Sequence, residues 1–215
     1  METSASGHTA EGTAPREVLH PQSRALFRYW ERVRGERNAP NRGDIDLKEI
    51  RDIVRWLCIL ERDPVRQSYR WRLAGTGVCR IFGRELTGEP VFRGWDRFEQ
   101  QMLSGMLDQV VGTLQPSVSR IRAITMSGEQ LGLELIALPM CPERGPVPHV
   151  FGAIVPFREP EWLGSDPLRS FTLSAVKVIW TEPLPGLDQP MKPQWSRSAR
   201  GRTILPFQVI DGGLA

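Results

Sequence analysis

Residues 69–88, YRWRLAGTGVCRIFGRELTG, constrain the fold more than any other stretch of this chain. Tyr69, Trp71 and Leu73 alternate with Arg70 and Arg72, and a period of two rich in aromatic residues specifies a half-buried antiparallel strand. Gly75 and Gly77 break that strand. Val78, Ile81 and Phe82 then come at spacings of three and four, which predicts a short helix with one inward face. Gly83 is placed to end it in a left-handed cap, and Leu86-Thr87-Gly88 makes a turn. A strand running into a short helix and a glycine-marked turn wraps chain around a ligand-sized space.

The rest of the chain supplies elements on both sides of this stretch. Residues 1–20 are rich in Ser, Thr, Gly and Ala and are expected to be a disordered tail. Residues 21–55 read as a helical extension. Pro21 opens a helix to about Arg34, with Leu26, Phe27, Trp30 and Val33 on one side and Arg24, Arg28 and Arg32 on the other. Asp44 or Asp46 is placed to cap a second helix near residues 47–54. The apolar run 56–62 reads as a first strand, Asp63-Pro64 as a turn and residues 69–75 as the returning strand. Asp96 and Glu99 form a capping box for a helix of about four turns. Its inward stripe is expected at Phe98, Met102, Met106 and Val110, with Leu103, Leu107, Val111 and Leu114 beside it. Strands come next at 118–126, 130–140 and 150–157. Residues 172–180 fit either a strand or a short helix. Residues 181–215 are Pro-rich and basic (Lys192, Arg197, Arg200, Arg202) and read as a flexible tail.

The run Arg72-Leu73-Ala74-Gly75-Thr76, continued by Phe82-Gly83-Arg84-Glu85-Leu86-Thr87-Gly88, resembles the signature R-L-x-G-T-x-x-x-x-x-F-G-R-x-L-T-G of a bacterial PAS-type sensory domain family. Tyr29-Trp30, Arg34-Gly35, Pro40 and Asp44-Ile45-Asp46 are similar to that family's lead-in, with Leu47 where the family usually has Pro. The resemblance spans roughly residues 21–180. It implies an α+β fold, with a PAS-like five-stranded antiparallel sheet and flanking helices over 56–180, preceded by the N-terminal helical extension. It also implies a pocket, lined on the inward positions read above by Trp71, Leu73, Val78, Phe82, Met102, Leu133 and Leu135. In proteins of this kind the flanking helix commonly dimerises or docks a partner. The outward strand faces carrying Arg70, Arg72, Arg120 and Arg122 can meet on the convex side of such a sheet as a basic patch able to hold an anionic ligand.

Composition and motif content limit the chemistry. Cys58, Cys79 and Cys141 are odd in number and lack a CxxC pair, so they read as free thiols in a reducing compartment. The N-terminus has no signal-peptide pattern, and no window is apolar enough to span a bilayer. A soluble, cytoplasmic protein is the expectation. There is no Walker loop, G-x-S-x-G or H-E-x-x-H, and no enzymatic activity is expected. The cofactor is left unknown. His8, His20 and His149 do not fall on pocket-lining elements, which argues against haem. The V-C-R-I-F-G run departs from the flavin-binding cysteine pattern at Val78 and Gly83, which argues against flavin.

The expected role is therefore a non-catalytic sensory or regulatory module that binds a small ligand, a protein partner, or both. The alternative is a nucleic-acid-binding or transcription-associated regulator using the basic strand faces and tail, with a formal net charge of +3 in its favour and no recognisable nucleic-acid motif behind it.

Overall fold

Six runs of alternating or continuous apolar residues pair into a single antiparallel sheet in a computed structural model that describes residues 14–63, 68–142 and 149–181. The strands are β1 (Leu57–Asp63), β2 (Ser68–Ala74), β3 (Ser117–Thr125), β4 (Gln130–Met140), β5 (His149–Pro156) and β6 (Leu168–Val178). Their order across the sheet is β2-β1-β5-β4-β3-β6. Among the described residues three α-helices accompany them: α1 (Pro21–Arg34), α2 (Thr76–Phe82) and α3 (Arg97–Thr113). The α+β class and the strand–helix–strand order match the expectation. The sheet has one strand more than expected, because residues 172–180 fall largely within β6, which pairs with β3 along its length.

Each helix begins and ends where local chemistry dictates. The Asp96 carboxylate accepts the Glu99 amide and starts α3, as an N-cap should. Gly83 closes α2 at φ +65°, a left-handed conformation that glycine adopts without a Cβ penalty. The second helix expected near residues 47–54 is absent. That segment is a series of turns ending in a 3-10 turn, Val54–Trp56. Its hydrogen bonds run from residue i+3 to i, as from Ile53 N to Ile50 O. Ile50, Ile53 and Trp56 are all buried, and a spacing of three suits a three-residue turn better than an α-helix.

The two faces of the sheet are covered by different helices. α3 packs on the inner face, against β4, β5 and β6, while α1 packs against β4 and β5. Successive residues of a strand point to opposite faces. In β4, Leu133 and Leu135 line the interior with Leu103 and Leu107 of α3, while Glu134 receives the chain just before α1. The apolar side of α1 (Leu26, Phe27, Trp30) is therefore consumed by its own sheet, and Trp30 Nε1 donates to Pro139 O at 2.8 Å. The apolar stripe thus packs within this chain, and the side of α1 left for any partner is the basic one. Arg24, Arg28 and Arg32 do face solvent.

Two further corrections concern the ends and the register. Of the N-terminal tail, residues 14–20 are docked rather than disordered: Val18 is fully buried, and Arg120 Nη2 donates to Glu17 O. The expected tails over residues 1–13 and 182–215 lie outside the described residues. In β2, Leu60 pairs with Trp71 but the adjacent Ile59 pairs with Leu73. Arg72 is the extra residue of a β-bulge, and a one-residue slip turns the next side chains to the other face. Leu73 is accordingly 37% exposed on the outer side.

The turn from β2 into α2 lies directly on the Val54–Trp56 turn. A Cβ at Gly75 would sit 2.4 Å from Arg55 O and 2.6 Å from Val54 O, so only glycine fits. Gly75→Ala is expected to cost about 2 kcal/mol or more by overpacking. Gly105→Ala, on the exposed side of α3 with nothing within 4 Å, is expected to stabilise by about 0.5–1 kcal/mol. Urea denaturation of the two variants measures both signs.

Candidate functional site

The inner face of the sheet, α2 and α3 enclose a small cavity of about 10 Å³, room for roughly one water molecule. Its floor comes from Leu60, Ile121, Leu133, Leu135 and Ile154, one or two residues from each of β1, β3, β4 and β5. Leu103 and Leu107 of α3 form the opposite wall, and Trp71, Phe82, Val91 and Trp95 close it. Every wall residue is aliphatic or aromatic. The site offers dispersion contacts and no carboxylate, imidazole or thiol.

Four aromatic rings make a continuous run along this wall. Trp71 meets Phe82 edge-on at 5.7 Å, Phe82 stacks on Phe171 at 5.4 Å, and Phe171 stacks on Trp95 at 4.7 Å with planes 8° apart. Such pairs add about 0.5–1.5 kcal/mol each beyond area burial. Phe171 belongs to β6, so the sixth strand completes the run. Trp71 and Trp95 both bury an indole N–H that has no hydrogen-bond partner, in contrast to Trp30. An unpaired buried donor costs about 1–3 kcal/mol.

Polar groups behind the cavity set its frame. Tyr69 Oη and Arg62 Nε both donate to Asp108 Oδ1 at 2.8 Å, tying α3 to β1 and β2. Burial, then the adjacent Asp108 carboxylate, raises the Tyr69 pKa, so the phenol stays protonated and donating. The Glu99 carboxylate, in the first turn of α3, accepts the Leu173 amide of β6 at 2.9 Å.

Of the seven residues expected to line the pocket, Trp71, Phe82, Leu133 and Leu135 are brought together in its wall. Leu73 is turned outward by the bulge. Val78 is fully buried but packs away from the cavity. Met102 is half-buried, and Leu103 and Leu107 take the inward positions instead. Apolar residues surround much of α3, so the sequence left its phase open; packing on the sheet chose a face with Leu103, Met106, Leu107 and Val110 and left Phe98 66% exposed. Trp95 and Val91 come from a loop without periodicity, and no sequence signal marked them.

The basic patch is not assembled. Arg70 and Arg72 lie on β2 and Arg120 and Arg122 on β3, with β1, β5 and β4 between, roughly 19 Å at normal strand spacing. Arg70 pairs with Asp63 at 3.2 Å and Arg72 with Glu61 at 3.7 Å, while Arg120 is engaged with Glu17.

Cys79 sits half-buried on α2, with Sγ 3.8 Å from Ala74 O and 3.7 Å from Glu85 Oε1, outside the cavity wall. Burial is the main cause of its raised pKa, and burial takes Cys58 up to about 12. Among the described residues, no group of three or more His, Cys, Asp and Glu side chains is gathered to hold a metal. No helix among them is long and apolar enough to cross a membrane.

Burial lowers the pKa of His20, partly offset by Glu134, and that of His149, partly offset by Glu61. Both rings are therefore neutral when folded at pH values where the unfolded chain, with an ordinary value of 6.5, already binds protons. Stability is expected to fall as pH drops below about 6.5. Replacing both histidines with Gln should flatten that slope in urea titrations between pH 7.5 and 5.5. Glu134 is fully buried and accepts the amides of Leu19 and His20 at 2.9 Å each. Glu134→Ala strands both donors and should cost about 2 kcal/mol or more, read by the same titration at pH 7.5.

A family model described as "PAS domain" matches residues 18–155, from the docked N-terminal segment through β5. A comparison with curated proteins finds no match. The match covers well over half of the chain, and β6 lies beyond it. With the sheet, its flanking helices and the enclosed cavity in place, the chain belongs to the PAS domain family.

Proposed function

We propose that this protein is a non-catalytic sensory or regulatory module whose central cavity takes a small, largely apolar ligand bearing a hydrogen-bond acceptor. PAS membership supports a sensory or regulatory role in general. The observation that carries the ligand reading is the pair of unpartnered indole N–H groups on Trp71 and Trp95 in an otherwise apolar wall. Buried polar groups are normally paired, and a ligand whose entry brings an acceptor to either indole would pair that donor. The cavity is nearly filled by its own side chains, so occupancy requires the aromatic wall to move. That movement couples ligand to surface through Phe171 and β6, and a ligand shifts the equilibrium by its differential affinity for the open state.

A protein partner is the second reading. Leu73, turned outward by the bulge, lies on β2, away from the strands that α1 covers. The nucleic-acid alternative finds no support in the described strand faces, since their arginines are separated and Arg70, Arg72 and Arg120 are engaged with groups of this chain.

Native mass spectrometry of the purified full chain, compared with its denatured mass, tests the ligand reading. Extra mass lost on denaturation supports an occupied cavity. A bare chain mass that persists after incubation with small aromatic ketones, phenols and indoles overturns it and leaves the partner reading. Trp71→Phe removes one unpaired donor and should leave stability unchanged or slightly raised, while weakening any acceptor-bearing ligand. Leu103→Ala enlarges the cavity and should cost about 2–5 kcal/mol, part of it recovered on adding benzene or indole, as followed by thermal unfolding.

A further inference from the structure

The two edges of the sheet differ in what covers them. The outer edge of β2 is closed by its own chain: Trp71 N–H donates to Glu89 O, Val91 N–H to Tyr69 O and Gly88 N–H to Trp71 O. β6 is the opposite edge, and among the described residues it pairs only with β3. An edge strand leaves a row of backbone groups open to another strand.

Two hydrogen bonds show which residues form that row. Ile179 N–H donates to Pro116 O, toward β3, whereas Leu173 N–H donates to the Glu99 carboxylate of α3, away from β3. Bonded and non-bonded positions alternate along an antiparallel ladder, with one register shift beside Leu173. Phe171, Leu173, Val176 and Val178 therefore turn their backbone groups to the free side. The side chains of Phe171, Leu173 and Val176 pack on the core, so they lie on the inner face of the sheet. The Glu99 contact places one flank of α3 above the edge. Met102, three residues further and on the same flank, is half-buried, and Phe98, one turn before it, is 66% exposed. Together they form an apolar overhang beside open backbone.

We propose that residues 204–210, with the sequence ILPFQVI, add to β6 as a further antiparallel strand of the same chain. They lie outside the described residues, on the stretch that follows β6. At ~3.3 Å per extended residue, residues 182–203 are long enough to run back beside β6. Pro206 has no N–H and is tolerated in an edge strand only with its nitrogen turned away from the partner. Leu205, Phe207 and Val209 then bond to β6. Opposed residues share a face, so these three side chains lie on the inner face, beneath Met102 and Phe98. The phase that Pro206 permits is thus the one that buries Phe207 and leaves Gln208 in solvent. A second copy of β6, paired antiparallel about its centre, would instead set Arg169 against Lys177, and opposed like charges destabilise a pair. Residues 204–210 carry no charge, and their tether to β6 makes the encounter intramolecular.

Amide hydrogen exchange of the full chain, read residue by residue by NMR, tests this. The Val176 and Val178 amides are expected to exchange about tenfold or more slowly in the unmodified chain than in Phe207→Asp, independently of protein concentration. The Lys177 amide, turned to β3, stays protected in both and reports an intact sheet. Pro206→Gln should keep the protection, whereas Phe207→Pro, which removes a donor facing β6, should abolish it. Equal exchange of Val176 and Val178 in the unmodified chain and in Phe207→Asp overturns the proposal, whether the two amides are open or held by something else. Protection that rises with protein concentration, alongside a dimer in sedimentation, overturns it as well, because a second copy then holds the edge.

Discussion

A fully buried carboxylate on the outer face of β4 organises the way this chain closes on itself. Glu134 has no exposed surface, and a buried charge is tolerated only when hydrogen-bonded. The amides of Leu19 and His20 meet that need, drawing the segment before α1 onto the sheet. His20 then serves as the N-cap of α1, so one interaction fixes both where the helix starts and where it lies. Trp30 locks the far end on Pro139 O. With α1 on one face and α3 on the other, β4 and β5 are buried on both sides. This explains why their sequences read as nearly continuous apolar runs rather than strict alternation.

On the inner face, the packing is dominated by rings. Trp71, Phe82, Phe171 and Trp95 reach one another from a strand, a helix, the last strand and a loop. Large flat side chains on four elements leave little free volume; the remaining space is apolar, and the indole N–H groups of Trp71 and Trp95 are buried in the surrounding packing without partners. Buried donors of this kind are held at a cost to the folded state.

Strand order decides which surface residues act together. Arg70 and Arg72 belong to β2 at one side of the sheet, and Arg120 and Arg122 to β3 near the other. Alternation places each of them away from the core, and for each strand taken singly that is where they lie. Their separation arises from β5 and β4 inserting between β1 and β3, a long-range pairing that no local pattern encodes. The β-bulge at Arg72 is of the same kind. It is a mismatch between two strands, visible only when both are laid side by side, and it moves Leu73 from the expected wall of the cavity to the outer face.

Local chemistry was legible from the chain itself. The Asp96 cap, the left-handed Gly83, the apolar side of α1 and the inward positions Trp71, Leu133 and Leu135 depend on neighbours within a few residues, so periodicity and capping preferences reveal them. The run from Arg72 to Gly88 carried the family resemblance in its own residues, although Gly75 is demanded by the distant Arg55 and Val54 carbonyls it lies against. Other features needed the assembled sheet: the sixth strand, the phase of α3, the place of Trp95 in the wall and the docking of residues 14–20. Each is decided by contacts between residues far apart in the chain, where several local solutions are nearly equal in energy and packing selects one. Sequence determined which residues face inward on most elements; only the tertiary structure decided which of those inward residues meet.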